Sequence, residues 1–260
     1  MKFDLHVHTL NSHDSSMSAD ELIDAAIAAG LSGVAICDHN SFRQHHGRDN
    51  FFIIPACEYS TDIGHLLVYF MKKKINASLA RDDAGRYFWR DVCKAAHEQG
   101  ALVFLAHPFS PAHNHPAELF EQIDGVEVFN SRVVHSRITD ANSRALKLCK
   151  SLDLPFSAGS DAHCPEEVGT TFWECDLPEA ELSAPDFSEK LKAAILGRKG
   201  RVYAGAADIY DVLRCKRRAY INLRMNSKLL KNLLQHIYVA ITKRSKNKFC
   251  SGYINFNTEE

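Results

Sequence analysis

The chain has 260 residues, 45% of them hydrophobic, enough for one large core and a short appendage. No apolar run approaches the ~18 residues that span a bilayer, and the N-terminus lacks a signal-peptide apolar region, so the expectation is a cytoplasmic protein without a transmembrane segment. The charge is near neutral overall but uneven: residues 1–197 carry 17 Lys and Arg against 28 Asp and Glu, and residues 198–260 carry 14 against four.

The first segment, residues 3–9 (FDLHVHT), predicts a strand ending in a polar turn. Leu5 and Val7 share one face and His6 and His8 the other, because side chains alternate along a strand. Two imidazoles spaced this way can chelate one ion, and His13 and Asp14 follow at once. Ser18 and Glu21 form a capping box ahead of a helix closed by Gly30. Residues 33–37 (GVAIC) are a continuous apolar run, the mark of a strand buried on both faces, and end in Asp38 and His39. A second run, 51–57, ends in Glu58, and a third follows at 65–70.

Residues 83–99 predict a helix closed by Gly100. The strand at 102–106 ends in His107, and that at 126–129 ends in Asn130, Ser131 and Arg132. A helix is expected over 138–152, and the segment from Pro155 leads to Asp161 and His163. Chemically loaded residues thus recur at the carboxyl ends of about seven strands, the site geometry of parallel α/β folds and of closed barrels in particular. A Gly-rich phosphate loop, the sign of an open doubly wound sheet, is missing from the sequence. The eight cysteines (37, 57, 93, 149, 164, 175, 215 and 250) contain no C-x-x-C pair and read as packed, reduced thiols.

The strand-end donors are His6, His8, His13 or Asp14, His39, Glu58, His65, His107, Asp161 and His163. They offer nitrogen and oxygen without sulfur, which suits Zn²⁺, Mn²⁺ or Fe²⁺ rather than a thiolate structural site. So many donors predict two or three divalent ions, a cluster able to turn water into hydroxide and clamp phosphoryl oxygens. The other histidines (45, 46, 97, 113, 115, 135 and 236) read as ordinary polar residues.

In order along the chain, Asp4-Leu5-His6-Val7-His8-Thr9, Cys37-Asp38-His39-Asn40, Ala56-Cys57-Glu58, Gly64-His65, Ala106-His107-Pro108 and Gly159-Ser160-Asp161-Ala162-His163 resemble the motifs of the PHP (polymerase and histidinol phosphatase) superfamily. The resemblance covers roughly residues 3–205. It implies a distorted (βα)7 barrel with a trinuclear metal centre and an enzyme that hydrolyses phosphoesters. Carried over by motif, His6, His8, Glu58 and Asp161 would hold one metal. Glu58 would bridge to a second, held also by His65 and His107. His39, His163 and one of His13 and Asp14 would hold the third, with Asp14 preferred. A hydroxide between metals would attack phosphorus in line, so Glu58, Asp161 and His163 act through the metals. Asp38 is expected to orient ligands from behind. Arg132 and Arg137 are the candidates for substrate phosphate, with solvated surface arginines as the equal alternative.

Two domains are expected: the barrel over 1–205 and a basic, mainly helical extension over 206–260, its last segment (245–260) disordered. Residues 186–196 predict a final barrel helix. Residues 208–244 look helical, with Leu229, Leu230, Leu233, Leu234, Ile237 and Ile241 in one apolar stripe beneath a basic face. The favoured expectation is that this stripe packs on the acidic barrel; the alternatives are a polynucleotide-guiding surface or contact with an anionic membrane. The expected substrate is a small phosphomonoester, a nucleotide or a short oligonucleotide. Rival readings are a non-catalytic PHP module partnering another protein, and an amidohydrolase cleaving a C–N bond at the same metals. Against the latter, no lysine stands at a strand end to be carbamylated.

Overall fold

The computed structural model describes residues 1–48, 50–75, 79–110, 115–136, 138–222, 224–242 and 251–254, apart from the side chains of 222, 236, 237 and 239–242. Its first strand, β1 (Lys2–Val7), is buried over all but its first residue. It is flanked on both sides: β2 (Gly33–Ile36) pairs with it in parallel and β8 (Phe172–Cys175) antiparallel. Between β1 and β2 runs α1 (Ala19–Ala28), whose capping box is complete. The Glu21 amide donates to Ser18 Oγ at 3.2 Å, and the Ser18 amide to Glu21 Oε2 at 2.8 Å.

β3 (Phe52–Thr61) lies parallel to β2, and then the expected alternation breaks. β3 turns directly into β4 (Gly64–Tyr69) as an antiparallel hairpin, with Gly64 at φ +117°, a backbone conformation that side chains avoid. Asp62 and Ile63 alone link the two strands, and a parallel crossover needs a dozen residues or more. After α2 (Trp89–His97), β5 (Leu102–Leu105) is again antiparallel to β4. β6 (Gly125–Asn130) and β7 (Phe156–Gly159), with α3 (Ala141–Ser151) between them, resume parallel pairing. α4 (Phe187–Leu196) and β9 (Gly200–Ala204) follow β8. Seven strands do precede residue 165, but among the described residues they do not form a uniform βα repeat.

The expected helix over 83–99 starts only at Trp89. Asp82 Oδ1 accepts from the amides of Ala84 (3.0 Å) and Arg86 (2.8 Å), which fixes residues 82–86 as a turn instead.

The sheet order is β10-β9-β8-β1-β2-β3-β4-β5-β6-β7, where β10 (Gly252–Ile254) pairs antiparallel with β9. Of the segment expected to be disordered, residues 251–254 therefore include a strand, and the rest lies outside the described residues. The sheet curls until the chain after β7 meets β1. There the Asp161 amide donates to the His6 carbonyl (2.8 Å) and the His8 amide to the Ala162 carbonyl (2.9 Å). Gly159 permits this approach, since a Cβ on it would lie 2.4 Å from that of His6. The result is a mixed α/β fold with a curled, barrel-like sheet. Phe3, Leu5, Ile54, Leu67, Phe104 and Phe187 share its main core; each such side chain contributes ~1.5–3 kcal/mol by leaving water.

The basic tail departs from expectation. It forms two helices, α5 (Ile209–Asn222) and α6 (Asn226–Thr242), because the backbone reverses at Arg224, which takes φ +54°. α5 seats Val212, Leu213, Cys215 and Ala219 against the body. α6 folds back on α5, and Asn232 is buried there with Nδ2 donating to the Leu213 carbonyl at 3.2 Å. Leu230 and Leu234 are 61% and 59% exposed, so this part of the predicted stripe does not pack on the barrel, and Tyr238 beside it is also exposed. The Ile237 and Ile241 side chains lie outside the described residues. Among the described residues, no helix is long and apolar enough to cross a membrane.

Candidate metal centre

His6 and His8 project from the end of β1 with their Nε2 atoms 3.1 Å apart. Glu58 on β3 lies between them and the neighbouring strand ends. Its Oε2 is 3.2 Å from His6 Nε2, 3.3 Å from His8 Nε2 and 3.1 Å from His39 Nδ1. Its Oε1 is 2.5 Å from His65 Nδ1 and 3.1 Å from His107 Nε2. Asp161 closes the ring, with Oδ1 3.1 Å from His8 Nε2 and 3.7 Å from His6 Nε2. On the far side Asp14 Oδ2 is 3.1 Å from His163 Nε2 and 3.6 Å from His39 Nε2. Two residues of the site hold left-handed backbone, His107 (φ +26°) and Asp161 (φ +57°). Such conformations cost ~1–3 kcal/mol each and persist where the surroundings over-determine them.

Buried groups behind these side chains fix their ring orientations. His6 Nδ1 donates to Glu127 Oε1 (2.9 Å), which leaves its Nε2 lone pair facing Glu58. Glu127 Oε2 also accepts the His107 amide at 2.8 Å. His8 Nδ1 donates to Ser12 Oγ (3.0 Å), which donates in turn to Asp38 Oδ1 (3.1 Å). Asp38 further accepts from the Thr9 amide (2.6 Å) and Thr9 Oγ1 (2.7 Å). Asp38 thus touches the loop that carries His8 and reaches the ring only through Ser12.

The residues fit divalent cations. With both Nδ1 atoms committed as donors, His6 and His8 present two lone pairs to each other at 3.1 Å, an arrangement that needs a positive charge between them. His39 Nδ1, His163 Nε2 and Asp14 Oδ1 are buried with no hydrogen-bond partner, although the two nitrogens each lie 3.1 Å from a carboxylate oxygen. Donors that crowd together without hydrogen-bond geometry are converging on a point rather than on one another. At these strand ends three groups of side chains place their ligand atoms within 4.8 Å of one another: His6, His8 and Glu58; His39, Glu58 and His65; and His8, His39 and His163.

Charge follows the same division. Burial opposes protonation of His6, but Glu127, Asp161 and Glu58 outweigh it and hold His6 well above its ordinary value. Burial likewise opposes protonation of His8, yet Asp161 and Glu58 lift it to about 9. His163 goes the other way, down to about 4, because burial and the Arg132 guanidinium both disfavour its charged form. Burial pushes the Glu58 carboxyl up, but His39, His65 and His6 together hold it well below the usual carboxylate range.

The structure brings together ten of the residues singled out from sequence: His6, His8, Asp14, His39, Glu58, His65, His107, Arg132, Asp161 and His163. Of the His13–Asp14 pair, Asp14 faces His39 and His163, while His13 is exposed with its ring 5.4 Å from that of His39. Arg137 lies outside the described residues. Arg132 Nη1 is 2.7 Å from His163 Nδ1, and its Nε is 3.3 Å from buried Glu167. Glu167 Oε2 also accepts the His163 amide at 2.7 Å.

Sequence reasoning passed over Glu127, whose signal is a lone charge inside the apolar run Val126–Phe129. It also passed over Ser12, and it set aside His135, which lines the same cavity as Asp14, His39, Glu58 and His163. Cys164 and Cys215 lie beside Glu167; among the described residues all seven cysteines are buried and unbridged, as expected.

A family model described as the PHP domain matches residues 4–105, and one described as PHP-associated matches 139–194. The uncharacterised protein MJ0417 of Methanocaldococcus jannaschii is 31% identical over 195 residues, which take in 72% of this chain and 74% of that protein. A two-domain protein of Bacteroides vulgatus, described as containing a predicted PHP-like metal-dependent phosphoesterase, shares the fold with a TM-score of 0.59 at 20% identity. That match covers 79% of this chain and 65% of the other, so the chain spans about two thirds of that structure's length. Endonuclease Q, in complex with a 27-mer duplex bearing an abasic lesion at its active site, gives a TM-score of 0.51 at 21% identity, over 75% of this chain and 56% of that one. At such identities the likeness is one of fold. The sequence relative and the domain match establish the kinship: the chain belongs to the PHP family.

Proposed function

We propose that the chain is a hydrolase of phosphoesters that works with two or three divalent ions, Zn²⁺, Mn²⁺ or Fe²⁺, at the strand ends of a distorted (βα)7 barrel in a cytoplasmic setting. The observation that carries this reading is Glu58, whose two oxygens face four imidazoles and a fifth, His8, across separate donor groups. One carboxylate with that many convergent donors suits a bridge between ions. His6, His8, Glu58 and Asp161 would hold one ion; Glu58, His65 and His107 a second; Asp14, His39 and His163 a third. Ions held there supply the Lewis acidity that activates water near neutral pH and offsets charge on phosphoryl oxygens. Glu127, Ser12 and Asp38 keep the imidazoles in the neutral tautomer that ligation requires. Arg132 lines the same cavity as Glu58, where its guanidinium can meet a phosphoryl oxygen.

The cavity over the ligands holds about 260 Å³, which favours a small phosphomonoester or nucleotide over a polynucleotide. The test is a panel of phosphate esters and amides offered to metal-reconstituted protein. Turnover of a generic aryl phosphate supports the reading. Turnover of amides alone, or of nothing at any metal loading, overturns it.

A further inference from the structure

The C-terminal helices do more than pack on the body. Ile209, Val212, Leu213 and Lys216 of α5, with Gln235 of α6, line the same cavity as Asp14, His39, Glu58 and the other ligand side chains. A second cavity of about 240 Å³ adjoins it, lined by His13, Asp14, Ala219, Tyr220, Met225 and Lys228 together with Arg132 and Lys216. Asp14, Arg132 and Lys216 therefore stand on the boundary between the two spaces. Lys216 is exposed to them, and among the described residues no carboxylate lies within ion-pair distance of it. Two cations on neighbouring walls repel each other, and an anion between them relieves that repulsion. Glu167 offsets Arg132 from behind, at 3.3 Å, whereas for Lys216 burial and the Arg132 charge outweigh the support of Asp161 and Glu167 and lower its pKa.

We propose that Lys216 and Arg132 form an anion subsite over the metal centre, and that α5 is thereby part of the substrate-binding surface. The subsite grips the terminal phosphate of a small monoester at the boundary of the two cavities. The adjoining cavity then takes the rest of the molecule, against Tyr220 and Met225. An internal phosphodiester of a nucleic acid has to leave the pocket at both ends, and α5 stands over one of them. The assignment rests on the phosphoesterase reading above, but binding of the anion is tested separately from turnover.

The experiment compares metal-loaded wild type with Lys216→Ala and Lys216→Arg. Each is checked for metal content and unfolding temperature, then titrated with inorganic phosphate by calorimetry and assayed on an aryl phosphate. Lys216 is exposed, so both variants should fold and keep their ions. The expected result is phosphate binding weakened about tenfold or more in Lys216→Ala and largely restored in Lys216→Arg. A matching rise in KM should exceed any fall in kcat. Unchanged phosphate affinity in Lys216→Ala with full metal content overturns the subsite, as does a wild type that binds no phosphate. A wild type that binds phosphate through Lys216 yet cleaves no ester supports the subsite and removes the phosphoesterase reading instead.

Discussion

The strand ends and the helices above them are built in opposite ways. At the strand ends the donors are buried or half-buried and the key imidazoles are held from behind, His6 by Glu127 and His8 by Ser12 and Asp38. Over the mouth, α5 is seated by apolar contacts and α6 by α5, with Leu230, Leu234 and Tyr238 left in solvent. Buried charge needs fixed partners, because every misplaced donor there costs a desolvation penalty. A roof that only shapes access and offers charge tolerates looser fixing. Chemistry should therefore be brittle at the strand ends and adjustable at the roof.

The largest effect expected is at Glu58. Glu58→Ala removes the carboxylate that faces five imidazoles, so activity should vanish and the bound metal fall, with the circular dichroism of the fold retained. Wild-type turnover in that variant would place the chemistry elsewhere.

Proton linkage comes next. Without metal, His8 stays protonated up to about 9, so each ion that binds there must displace a proton. Metal affinity should rise roughly tenfold per pH unit for each proton displaced, until pH passes about 9. For the metal-free fold the sign is reversed. A raised His8 contributes stability that is fully present below about 6.5 and lost as pH rises through about 9. Calorimetry in two buffers of different ionisation enthalpy measures the release; zero protons at neutral pH would contradict the geometry.

Glu127→Leu keeps the volume and removes the acceptor behind His6. It should lower metal affinity by about 10- to 100-fold while leaving every direct donor in place. An unaltered affinity would mean that the orienting hydrogen bond is ornamental. The smallest effects belong to the periphery. His97 pairs with Asp124 at 2.9 Å while 41% exposed, so His97→Ala should cost no more than about 1 kcal/mol and leave the rate alone. Leu230→Ser on exposed α6 should shift stability within about 0.5 kcal/mol.

What was legible in the sequence follows the same division. His6, His8, Glu58, His107 and Asp161 stand out because each ends a run whose local pattern already names it a strand. The hairpin at Asp62 and Ile63 was less visible, since an apolar run does not reveal the direction of its neighbour. The roof was misread for a physical reason. An amphipathic pattern identifies a helix but not the surface it covers, and the reversal at Arg224 turns the Leu230–Leu234 face outward. Lys216 and His135 carry no local signal at all; tertiary packing alone brings them to the cavity.

The central claim is that these strand ends hold a cluster of ions. Elemental analysis of protein purified without chelator, before and after reconstitution, measures it directly. Two or three divalent ions per chain, falling in Glu58→Ala, is the result this account predicts. At most one ion per chain after reconstitution, or an unchanged content in Glu58→Ala, would contradict it.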